Sequence, residues 1–86
     1  MILEKDLYAR YQSINGVKYL IKNYEAFELD EVGEIVWESI DGKTSLEEIS
    51  EKISTKYNIN REIVIKDIQE FCKDLIEKGL VEGVSK

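Results

Sequence analysis

The sequence contains no histidine. That removes the commonest general base at neutral pH and the commonest metal ligand. It contains one cysteine, Cys72. A lone thiol forms no internal disulfide, which fits a reducing compartment, and one cysteine without histidine excludes an ordinary structural zinc site. No apolar run approaches the roughly 20 residues needed to cross a bilayer. Met1, Ile2, Leu3, Glu4, Lys5 and Asp6 supply neither a basic n-region nor an apolar h-region, so no signal peptide is expected and the cytoplasm is the expected location. GxxxxGK(S/T), GxGxxG and GxSxG are all missing. No catalytic role, cofactor or metal is expected of such a chain.

A basic excess is missing as well. Twelve basic residues face 18 acidic ones, for a net charge of −6. Affinity for nucleic acids comes largely from Lys and Arg neutralising phosphates, so nucleic acid is disfavoured as a partner. At 43% apolar and 35% charged, the composition is that of a folded domain. Eighty-six residues make one domain with a small core.

Residues 30–41 read as a helix with start and stop signals. Asp30 is a good N-cap, Glu31 and Glu34 place negative charge in the first turn, and Asp41-Gly42 ends the run. Val32, Ile35, Val36 and Ile40 form its apolar stripe, with Trp37 beside it as a core anchor. Residues 1–7 read as a loose arm. Residues 7–13, with Tyr8 and Tyr11, fit a short strand. Asn15-Gly16 is a strong hairpin signal, and 17–22 is β-branched and aromatic, hence a strand. A second turn follows at 23–26, and Phe27, Glu28 and Leu29 alternate as a third strand.

Two more helices follow. Ser45 and Glu48 form a capping box, and Leu46, Ile49, Ile53 and Tyr57 make one face. Asn60 caps the last helix, expected over 61–78. Its stripe is Val64, Ile68, Phe71, Cys72 and Leu75, widened by Ile63, Ile65 and Ile76. Gly79 stops it, and Leu80 is placed for a Schellman contact. The expected fold is α+β and winged helix-turn-helix-like: a three-stranded antiparallel sheet over 8–29, a three-helix bundle over 30–82 and a tail over 83–86, with Val81, Glu82, Gly83 and Val84 able to add a strand.

Phe27-Glu28-Leu29-Asp30, Ile35-Val36-Trp37, Asp41-Gly42, Ser45-Leu46-Glu47-Glu48-Ile49, Tyr57, Asp67-Ile68, Phe71, Leu75 and Gly79-Leu80-Val81-Glu82 together resemble the PqqD family of RiPP recognition elements. The resemblance spans roughly residues 17–82. It rests on an ordered set of features at the right spacings, with no single sharp motif. Cys72 departs from the family, which usually has a bulkier aliphatic there.

The resemblance implies binding of the leader segment of a ribosomally made precursor peptide. It implies delivery to a separate maturation enzyme: a radical SAM enzyme, or a leader peptidase or cyclase as in lasso-peptide pathways. The leader would dock as an extra antiparallel strand on the third strand, in a groove bounded by the last helix. The expected contacts are Tyr24, Glu25, Ala26, Phe27, Glu28 and Leu29 on the strand and Val64, Asp67, Ile68, Phe71 and Asp74 on the helix. An edge strand offers unpaired backbone groups, so groove side chains must supply specificity. Asp67 and Asp74 would suit Lys or Arg in a leader.

Plainer roles compete at several positions. Phe71, Ile68 and Leu75 read first as core, and Cys72 as a buried small hydrophobe. Asp67 fits a groove or a backbone-bonding role equally. Tyr19 and Tyr24 could pack the sheet on the helices, and Glu47, Glu48 and Glu51 read as a solvated face. Two other functions remain open. A winged-helix DNA-binding regulator would need a basic last helix, but Glu62, Asp67, Glu70, Asp74 and Glu77 offset Arg61, Lys66, Lys73 and Lys78. An interaction domain would use the open edge for a homodimer.

Overall fold

The structure is a computed structural model and describes residues 1–84. Eight elements follow in order: β1 (Leu3–Lys5), β2 (Arg10–Ile14), β3 (Val17–Lys22), β4 (Glu25–Leu29), α1 (Glu31–Ser39), α2 (Leu46–Tyr57), α3 (Arg61–Glu77) and β5 (Val81–Gly83). The expected antiparallel meander is β2-β3-β4, and the three helices follow it.

The two hairpins have the same turn geometry. Asn15 and Gly16 have φ of 51° and 82°, and Asn23 and Tyr24 have φ of 52° and 65°. Each two-residue loop with two positive φ values is a type I′ turn, whose twist matches that of the flanking strands. The residues flanking such a turn form a hydrogen-bonded pair, and such pairs alternate along the ladder. Val17, Tyr19 and Ile21 of β3 therefore bond to β2, while Lys18, Leu20 and Lys22 bond to β4.

Residues 1–7 are not a loose arm. β1 pairs antiparallel with β5, Leu3 opposite Gly83 and Lys5 opposite Val81. Leu3 is buried, and its carbonyl accepts from the Gly42 N–H at 3.0 Å. The Met1 ammonium meets Glu47 at 3.0 Å. Residues 81–82 accordingly belong to a strand and not to the helical bundle. Of the tail expected over 83–86, Gly83 closes that strand and residues 85–86 lie outside the described residues.

The first meander strand starts at Arg10 instead of Leu7. Asp6 is the cause: its carboxylate accepts from the Tyr8 N–H at 2.9 Å and pairs with Lys22 Nζ at 3.0 Å, turning the chain before the sheet begins. The same Lys22 donates to the Gly79 carbonyl at 2.8 Å, and the Asp6 N–H donates to the Leu80 carbonyl at 2.9 Å.

The caps are mostly those read from sequence. Asp30 Oδ1 accepts from the Gly33 N–H at 2.7 Å. The Ser45–Glu48 capping box is complete, and Asn60 accepts from the Glu62 N–H at 2.8 Å. At the end of α3, Gly79 at φ 70° lets its N–H reach the Ile76 carbonyl and the Leu80 N–H reach the Leu75 carbonyl, the full Schellman pattern. One stop differs. α1 ends at Ser39 with Ile40 extended. Asp41 draws the Lys43 and Thr44 N–H groups into its own turn at 2.9 and 2.7 Å. Those bonds, Thr44's first, hold its carboxyl below the usual range.

The core lies between one face of the meander and the helices. Leu20 and Leu29 enter from the sheet, Val36, Trp37 and Ile40 from α1, Leu46, Ile49 and Ile53 from α2, and Val64, Ile68, Cys72 and Leu75 from α3. Trp37 is thus a core anchor. Cys72 is buried, and burial pushes its thiol up to about 11. The α3 stripe is narrower than expected: Ile63 is 57% exposed and Ile76 39%, because only one side of α3 faces the protein. Val32 of α1 is also exposed.

Candidate functional site

β4 has a free side. It pairs with β3 alone, and no other backbone bond among the described residues reaches it. Glu25, Phe27 and Leu29 sit in the hydrogen-bonded pairs with β3. Ala26 and Glu28 sit in the alternate pairs, so their N–H and C=O groups point to the open edge. Their side chains share the outer face of the sheet, and both are exposed.

The other face of β4 turns toward α3. The Phe27 and Phe71 ring centroids are 6.0 Å apart and tilted by 58°. Lys78 Nζ lies 5.7 Å from the Phe27 ring centroid, within cation–π range. The edge and the α3 flank therefore bound one groove with an aromatic wall.

At the Leu29 end the groove opens into a pocket of about 230 Å³ between α1 and α3. Asp30, Val32, Gly33, Val36, Asp67, Ile68 and Phe71 line it. Gly33 matters by its small size. A Cβ there would come within 3.1 Å of Asp30 Oδ1 and 3.3 Å of both Leu29 Cδ2 and Phe71 Cζ. The start of α1 can thus lie close to Phe71.

The expected contact residues fare unequally. Ala26, Phe27, Glu28 and Leu29 lie on the edge strand, and Asp67, Ile68 and Phe71 come together at the pocket. Glu25 starts the strand beside a notch of about 30 Å³ shared with Lys78. Tyr24 is not in the strand. It occupies the turn at positive φ and is fully exposed. Val64 is core, and Asp74 is exposed on α3 away from the pocket lining. Phe71 is half-buried, serving core and groove together. Asp30, Gly33 and Lys78 were not among the expected contacts. The signal for Gly33 was a glycine in the first turn of a helix, where it costs helix stability unless something packs against it.

A family model matches residues 18–81, described as coenzyme PQQ synthesis protein D (PqqD). The chain belongs to the PqqD family. The match covers β4, α1 and α3, every element of the groove. No curated protein matches the chain by sequence. Two solved structures share the fold, each at a TM-score of 0.81. One is TbiB1 in complex with the TbiA(beta) leader peptide, 26% identical, covering 96% of this chain and 99% of that one. The other is the PqqD truncation of Methylobacterium extorquens PqqCD, solved by NMR as a stand-alone RiPP recognition element. It is 19% identical and covers 94% of this chain and 88% of that one. The α+β fold of this PqqD-family chain is therefore that of a recognition element.

Proposed function

We propose that the chain binds the leader segment of a ribosomally synthesised precursor peptide and presents it to a partner maturation enzyme. The observation that carries this is the open edge of β4, with the backbone groups of Ala26 and Glu28 turned outward beside the Phe27–Phe71 wall. An extended peptide can pair with that edge as an antiparallel strand and set alternate side chains into the groove. Family membership and the leader peptide bound to TbiB1 support the reading.

On this reading the chain recognises and does not catalyse. The chemistry belongs to a partner, a radical SAM enzyme or a leader peptidase or cyclase. Ala26, Phe27, Glu28 and Leu29 receive the strand, and Ile68 and Phe71 line its apolar subsite. No helix among the described residues is long and apolar enough to cross a membrane. The buried, disulfide-free Cys72 suits the cytoplasm.

A synthetic leader from a precursor gene beside this one, titrated by fluorescence anisotropy, tests the proposal. Proline at a position paired with Ala26 or Glu28 removes a backbone donor and should abolish binding. Equal binding of the proline variant and its parent would sink strand addition. Sedimentation over a concentration series distinguishes self-pairing through β4, which would make the chain its own ligand.

A further inference from the structure

The pocket at the Leu29 end of β4 has a floor and a rim of different chemistry. Val36, Ile68 and Phe71 form the apolar floor, and Gly33 leaves it uncovered. Asp30 and Asp67 stand at the rim, and no lysine or arginine lines the pocket. Asp30 uses Oδ1 to cap α1. Its Oδ2 and the Asp67 carboxylate have no hydrogen-bond or ion-pair partner among the described residues.

The local field is negative. The N-terminus of α1 contributes about half a positive charge, which two carboxylates outweigh. Glu31 and Glu34 lie in the first turn of the same helix. The Tyr57 hydroxyl, which donates to Glu31, is pushed up to about 12 by that bond first, and the charges of Asp30 and Glu34 push the same way. Lys78 stands at the opposite end of the groove, over Phe27.

A purely apolar side chain would fill this floor and leave the two exposed rim carboxylates to water, gaining nothing from their charge. A side chain with an apolar stem and a cationic head satisfies both parts. We infer that the pocket reads one lysine or arginine of the bound peptide, its stem on Val36, Ile68 and Phe71 and its head between Asp30 and Asp67. The inference rests on the strand-addition reading. The pocket lies past the C-terminal end of β4, so in an antiparallel ligand the basic residue precedes the segment paired with Ala26 and Glu28. Lys78 at the other end repels the reverse placement.

The test uses random twelve-residue peptides displayed on phage and selected on the whole chain. The selected peptides should carry Lys or Arg at one fixed distance before an alternating apolar segment. In a synthetic version of a selected peptide, norleucine in place of that residue should bind roughly two- to fivefold more weakly at low salt. The difference should vanish on Asp67→Asn and on Asp30→Asn. Asparagine caps a helix as well as aspartate does, so Asp30→Asn removes charge and keeps the fold. Selected strands with no enriched basic position, or equal binding of the lysine and norleucine peptides, overturn the pocket inference and leave strand addition standing. Full binding after backbone N-methylation of every residue in the paired segment overturns strand addition itself. A library that yields no binder counts against both.

Discussion

Phe27 on the edge strand and Phe71 on the last helix meet with ring centroids 6.0 Å apart, and this contact joins the sheet edge to the opposite wall of the groove. Its loss should be felt in both stability and binding. Phe71 is only half-buried, so Phe71→Ala should cost about 2 kcal/mol, below the roughly 3–5 kcal/mol of a fully buried phenylalanine. Phe71→Leu should restore most of that, short of the roughly 0.5–1.5 kcal/mol particular to an aromatic pair. Urea midpoints at constant slope measure the first effect, and anisotropy with a leader peptide the second.

Adjacent prolines on β4 should behave differently. The Ala26 N–H faces the open edge, while Phe27 sits in the ladder opposite Leu20. Ala26→Pro should leave a cooperative melt and abolish leader binding. Phe27→Pro removes an internal bond and a groove wall, at a cost of about 3 kcal/mol or more. Circular dichroism melts beside binding isotherms separate the two. If Ala26→Pro still binds leader at parental strength, the edge is not the docking site.

Asp6 makes one part of the stability depend on pH. Its carboxyl sits below the ordinary 3.8, first because Lys22 hydrogen-bonds it. A carboxyl whose folded value is depressed stabilises the fold above its unfolded value, and that contribution disappears as pH falls through the folded value. Asp6→Asn should therefore melt below the parent at neutral pH, and the gap should close well below pH 3.8. A gap that persists in acid would mean that the ion pair is not the cause.

Tyr24 holds a left-handed conformation, φ 65°, at a turn position where glycine is favoured. Its side chain is fully exposed, so no core contact offsets the strain. Tyr24→Gly should stabilise the chain by about 0.5–1 kcal/mol, read as a raised urea midpoint. The matching Asn15-Gly16 turn provides the internal comparison: Gly16→Tyr should lose a similar amount.

The parts legible from sequence were those with local causes. Asn15-Gly16, the Ser45–Glu48 box, Asn60 and Gly79 each act within a few residues, and the structure has them where they were expected. β1 escaped because it carries a single buried residue, Leu3, and its partner lies at the other end of the chain. The widened α3 stripe failed because periodicity reports which side of a helix is apolar without reporting whether anything covers Ile63 and Ile76. At the candidate site, Phe27, Ile68 and Phe71 were visible as apolar positions, which the structure places on β4 and α3. The pocket was not, since it depends on Gly33 bringing α1 against Phe71, a tertiary approach with no local pattern.

The β1–β5 clasp brings the two ends of the described chain side by side, with the Val84 N–H donating to the Ile2 carbonyl at 2.9 Å. The described residues therefore nearly close a ring, and a short linker could join residue 84 to residue 1. New ends opened at the exposed Asn15-Gly16 turn should yield a circular permutant with the same groove. An enzyme tethered at either end of the described residues would hang from the same corner of the domain, so the effective concentration at which it meets a bound peptide would depend on linker length rather than on which end carries it.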